Sequence, residues 1–193
     1  MLLSALLYHR AVKIQRFLEP ALALSQPRSR LAEDINTLIT KEFGTEEPRP
    51  VKFVMGSIYV NEALLFDRTG RFLESSPTTV TTIKKLSTVF LQLMEDERIH
   101  PYIDLVVVCG RFPLFPDRDV NRKLRLMQIR SDLVLNAMFR AEPRLEQLYS
   151  PYFAAATIPV DSSIKRVDVL EFRIIPSEQL HIDVLQRLRK YVL

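Results

Sequence analysis

The stretch "LMQIRSDLVLNAM", residues 126–138, sets a cation beside an apolar stripe. Leu126, Ile129, Leu133 and Ala137 fall at helical spacing with Val134 and Met138 beside them, and Arg130 is followed at once by the small Ser131. Periodicity alone reads Arg130 as a solvated surface residue, the usual state of arginine. The other reactive side chains are sparse. Cys109 ends an apolar run, where a free thiol is an inert core residue rather than a nucleophile. His9, His100 and His181 lie far apart, so no metal-ligand spacing is present. His100, at a helix-to-strand turn before Pro101, reads as a surface residue. "RLRK" at 187–190 complements the C-terminal dipole of a closing helix. No phosphate loop, dinucleotide fingerprint, nucleophile elbow or zinc-protease motif occurs, and four glycines leave little material for phosphate-cradling loops. Neither catalysis nor a cofactor is expected.

The elements that must position Arg130 follow from the whole chain. Its 193 residues, 47% hydrophobic and 26% charged, suffice for one compact domain plus an extension. A net charge of +4, spread without long runs, permits an anionic partner but does not point to nucleic acid. One cysteine excludes an internal disulfide. The opening "MLLSALLYHR" is too short an apolar run to span a membrane and lacks a signal peptide's basic start and cleavage site. It reads as the buried start of a helix or as the stub of a span.

Helical patterns run over 3–19 and about 29–43, separated by Pro20 and Pro27, and "TEEPRP" closes an N-terminal helical stalk or linker at 1–49. The main domain is read over 50–176. "VKFVMGSIYVNEALLF" gives two strands, or one bulged strand, around Met55-Gly56. "DRTG" is turn chemistry, through the Asp67 side chain and a positive φ at Gly70. Ser76 and Pro77 open a helix that points Val80, Ile83, Leu86, Phe90 and Met94 inward. "YIDLVVVCG" is a strand covered on both sides. A proline-bearing loop leads to a helix over about 119–140, then a short helix "EPRLEQLY", a strand "YFAAATIPV" and a last strand "KRVDVLEFRII". A C-terminal helix over 177–193 packs on the domain. The fold class is α/β, a two-layer sandwich of βαβαββ order with a mixed sheet.

In that order, the chain from about 51 to 175 resembles the OmpA-like domain (the OmpA/MotB C-terminal domain). "YVNEALLFDRTGRFLE" is similar to the family's opening strand and small-residue turn, and "IDLVVVCG" to the strand ending in Gly-His-Thr-Asp. "LMQIRSDLV" resembles the L-S-x-x-R-A-x-x-V hallmark through Leu126, Arg130, Ser131 and Val134, and "IKRVDV" the start of the last strand through Arg166, Val167 and Asp168. The resemblance implies a non-enzymatic domain binding the peptidoglycan stem peptide. Arg130 would grip the carboxylate of a zwitterionic diaminopimelate with its guanidinium fork, and an aspartate would accept from the ammonium. It also implies a homodimer, a protein partner in a membrane complex such as a flagellar-type stator or defence motor, and an envelope location on the periplasmic side if a span precedes residue 1. The sequence departs from the pattern where it matters most. "GRFP" replaces Gly-His-Thr-Asp, so Pro113 stands where the aspartate would. Asp117 is the nearest substitute, or is solvated while Asp119 caps the helix, and Asn121 is two positions out of register with a helix-opening asparagine. A clamp short of one jaw leaves a desolvated ammonium without a counter-charge. The alternative function is a repurposed OmpA-like adaptor that has lost cell-wall binding, mediates protein–protein contacts and is cytoplasmic.

Overall fold

The computed structural model describes residues 30–45, 49–114, 120–161 and 169–177. The expected helices at 3–19 and 177–193, Asp117, Asp119 and the 165–168 motif lie outside the described residues, apart from Ser177. The first described element is a helix over 30–43, here α1, which puts Ile35 and Ile39 into the core and ends at Gly44 with φ +79°.

Two short strands follow, β1 (Val51–Val54) and β2 (Ser57–Asn61), paired antiparallel. The two residues joining them, Met55 and Gly56, have φ of +50° and +81°. That is the geometry of a tight hairpin whose twist matches its strands, so the region forms two strands rather than one bulged strand. A 3-10 turn, Glu62–Leu64, leads to α2 (Pro77–Glu95), and α2 leads to β3 (Ile103–Leu114). Helices α3 (Val120–Ala141) and α4 (Pro143–Tyr149) carry the chain to β4 (Phe153–Asp161) and then β5 (Val169–Pro176).

The five strands form one mixed sheet in the order β1-β2-β5-β3-β4, with β3 and β4 parallel and the other pairs antiparallel. The chain is therefore an α/β two-layer sandwich. Val60, Leu170, Phe172, Val106 and Val108 line the sheet's inner face, fully buried. Phe90 of α2 meets Phe172 and Phe153 there at ring-centroid distances of 5.4 and 5.7 Å.

On α2 the expected Ile83, Leu86, Phe90 and Met94 are buried, while Val80 is 52% exposed and Thr79 and Thr82 take the buried positions of the first turns. The inward face of α3 is rotated only in its first half, since Val134, Ala137 and Met138 are buried as expected. On α3, Leu126 and Ile129 point outward, and the sheet is met by Met127, Ser131, Val134 and Met138. Gly110 of β3 explains the rotation. A Cβ there would lie 2.8 Å from the Met127 carbonyl oxygen and 3.1 Å from Ser131 Oγ. So close an approach of helix to strand admits only a small side chain on the helix, and Ser131 supplies it.

Candidate functional site around Arg130

Arg130 lies on the edge of the inward face of α3 and is not solvated. Its Nη1 donates to Glu62 Oε2 at 3.0 Å, and both side chains are nearly nine-tenths buried. The guanidinium carbon stands 5.1 Å from the centroid of the Phe66 ring, and Met127 Sδ is 3.9 Å from Nη1. Gly70 closes the opposite side, where an added Cβ would fall 2.1 Å from Nη2. Hydrogen bonding, ring stacking and backbone contact thus meet on one planar cation.

Local chemistry builds each wall. Asn61 ends β2 and accepts from the Ala63 amide at 3.0 Å, which turns the chain into the single 3-10 turn that presents Glu62. The Asp67 carboxylate accepts from the Thr69 amide (2.8 Å), the Thr69 hydroxyl (2.6 Å) and the Arg71 amide (2.9 Å). The Thr69 hydroxyl, followed by the Arg71 amide, holds the Asp67 carboxyl below its ordinary value. This turn needs Gly70 at φ +84°, and it closes the Phe66–Phe72 bridge, whose rings lie 5.5 Å apart. From α3, Ser131 Oγ reaches the Ala156 carbonyl at 3.0 Å and Gln128 Nε2 donates to the Ala155 carbonyl at 3.1 Å, so the helix is tied to β4.

Of the expected partners of Arg130, Asp117 lies outside the described residues and Asn121 is remote from it. Asn121 is exposed in the first turn of α3, nine residues earlier, which is about 13 Å along a helix axis. Nor does β3 end at Gly110. It continues to Leu114, with Pro113 registered opposite Val160 of β4, so the position that a clamp aspartate would occupy lies inside a strand pair. The carboxylate that does meet Arg130, Glu62, was missed by the sequence reading. The available signal was a single acidic residue between Asn61 and the apolar "ALLF".

A second buried carboxylate occupies the other face of the sheet. Glu171 on β5 is registered between Tyr59 and Cys109 and is 1% exposed. It accepts from Ser57 Oγ at 2.9 Å and Arg173 Nε at 3.1 Å, and it pairs with Arg111 Nε at 3.2 Å. Arg111 in turn stands 5.6 Å over the Tyr59 ring. Burial, reinforced by Glu171, pushes the Cys109 thiol up to about 11, which makes it a poor nucleophile. His100 is half-buried between the edges of Tyr149 and Tyr152 rather than on the surface, with centroids 5.6 and 4.8 Å away. Among the described residues, no cluster of acidic, cysteine or histidine side chains is suited to a metal, and no helix is long and apolar enough to cross a membrane.

No protein-family model matches the chain. No curated protein matches it either. Among solved structures, the chain is similar to the OmpA-like domain of FopA1 from Francisella tularensis subsp. tularensis SCHU S4. The identity is 10%, the match covers 66% of this chain and 81% of that one, and the TM-score is 0.41. A likeness at that level leaves the functional assignment to this chain's own residues.

Proposed function

We propose that this is a non-enzymatic OmpA-like scaffold domain that acts through protein–protein contacts and no longer grips the cell wall. The observation that carries the reading is the Arg130–Glu62 pair. The guanidinium is nearly nine-tenths buried, packed on Phe66, crowded by Gly70 and paired through Nη1 with a carboxylate of the chain itself, which stands in for a ligand carboxylate.

The outward face of α3 supports protein contact. Leu124, Leu126 and Ile129 are each more than 40% exposed, and Arg125 and Asp132 lie beside them. An isologous contact pairs a surface with itself. Two antiparallel copies of α3 meeting near Ile129 would set Arg125 opposite Asp132 and Leu124 opposite Leu133. The reading is therefore of a homodimer, serving as the globular part of a membrane-associated complex in the envelope.

Two measurements test it. Co-sedimentation with purified peptidoglycan sacculi at low and high salt should show no salt-resistant binding, and salt-resistant binding abolished by Arg130→Ala would overturn the loss of the clamp. Sedimentation equilibrium should show a dimer that Ile129→Asp converts to monomer, and a monomer at all concentrations would overturn the α3 contact.

A further inference from the structure

A cleft of about 380 Å³ opens between the end of α1 and the first half of α2. Phe43, Pro50, Leu64 and Pro77 give it an apolar lining, and Thr78, Thr81, Thr82 and Lys85 give it a polar wall. Those four polar residues fall at i, i+3, i+4 and i+7 and so share one face of α2. The cleft shares the 3-10 turn with the Arg130 cage but none of that cage's residues.

Among the described residues, its hydroxyls and its ammonium have no hydrogen-bond or carboxylate partner. Thr82 is 6% exposed, yet its hydroxyl has no hydrogen-bond partner among the described residues. The other buried hydroxyls of α2 are bonded, Thr79 to the Leu64 carbonyl at 2.7 Å and Ser87 to the Ile83 carbonyl at 2.8 Å. The Lys85 ammonium lies 5.5 Å from the centroid of the Phe43 ring and pairs with no carboxylate among the described residues. Ser76 stands at the N-cap of α2 without a capping side-chain bond. The Thr82 hydroxyl thus opens on the cleft, beside a cation with no carboxylate partner among the described residues and above a partly apolar floor.

We infer that this cleft binds a small organic anion with an apolar body, of the kind presented by a peptide's C-terminal carboxylate on an apolar last residue. Lys85 and the hydroxyls of Thr78, Thr81 and Thr82 take the carboxylate, and Phe43, Leu64 and Pro50 take the side chain. A bare inorganic anion would leave the apolar lining unused, and a neutral amide would leave Lys85 without its counter-charge.

Titration of the isotope-labelled full chain with N-acetyl-leucine, followed by amide NMR shifts, tests the inference. Saturable shifts clustered at Phe43 and 78–85 are expected. Lys85→Met should weaken binding by about tenfold, the lower end of what a hydrogen bond to a charged group contributes, and Thr82→Val by less. Both variants should keep the wild-type spectrum elsewhere. Four outcomes would overturn it. These are no saturable shift, equal binding of the neutral N-acetyl-leucinamide, tighter binding of inorganic phosphate at the same residues, and an unchanged affinity in Lys85→Met.

Discussion

Arg130 Nη1 lies 3.0 Å from Glu62 Oε2, joining residues 68 apart in the chain and fastening α3 to the turn that follows β2. The pair sits at the edge of the core, where taking two charges out of water is costly and their mutual contact offsets part of that cost. Arg130 thereby ties two elements together.

Gly70 is the residue least able to change. An alanine there combines a left-handed φ of +84° with a Cβ 2.1 Å from Nη2 of Arg130. Gly70→Ala should cost about 2–4 kcal/mol, strain and displaced guanidinium together. Gly56→Ala is the control, with φ +81° and nothing within 4 Å, and should cost only about 1 kcal/mol. Denaturant midpoints of the two variants check the difference.

The contact of α3 with β3 predicts a second pair of effects. Gly110→Ala drives a Cβ to 2.8 Å from a helix carbonyl, and should destabilise by about 1–3 kcal/mol through displacement of α3. Ser131→Ala keeps the close approach and loses the hydroxyl shared between the Ala156 and Met127 carbonyls, about 1 kcal/mol. Equal losses in thermal unfolding would contradict this account of the packing.

Much of this architecture is legible in the sequence, and the exceptions have physical causes. Met55-Gly56 between two β-rich runs leaves two strands or one bulged strand open, and the positive φ at both positions makes it the hairpin. The apolar run from Leu105 to Cys109 marks a strand in the middle of the sheet, between β5 and β4. The inward face of α3 was not legible in its first half. Apolar residues surround most of that helix, and what rotates it is a contact with Gly110, seventeen residues before Met127 and on another element. Glu62 and Glu171 were not legible for the same reason, since each is held by cations or hydroxyls that pairing and packing bring in from afar. A carboxylate beside Arg130 was expected from Asp117, which lies outside the described residues, and the one the structure shows there is Glu62.

Cys109 should resist thiol reagents in the folded protein. With its thiol pushed up to about 11 and its surface 1% exposed, almost no accessible thiolate exists at pH 8. A chromogenic disulfide reagent should label it at the rate of unfolding. Glu171→Gln should lower the thiol only in part, because burial is the larger cause and the carboxylate the smaller.

Acid should loosen the 67–71 turn before the core. Hydrogen bonds from the Thr69 hydroxyl and the Arg71 amide lower the Asp67 carboxyl from its ordinary 3.8. A carboxyl lowered by folding adds stability above its unfolded value and loses it as pH falls through its folded value. Protection of the Thr69 and Arg71 amides against exchange should therefore hold above about pH 4 and fall below it. Thr69→Val should move that change to higher pH.

The most direct test of the central claim, that Arg130 serves the fold through Glu62, is a double-mutant cycle on stability with Arg130→Met, Glu62→Gln and the double variant. The account predicts that Arg130→Met alone costs about 3 kcal/mol, because a buried carboxylate loses its ion pair with the guanidinium. It also predicts that the two changes together cost less than their sum by about 1–3 kcal/mol. Additive single effects close to zero would contradict it, and would return Arg130 to the set of residues free to hold a ligand.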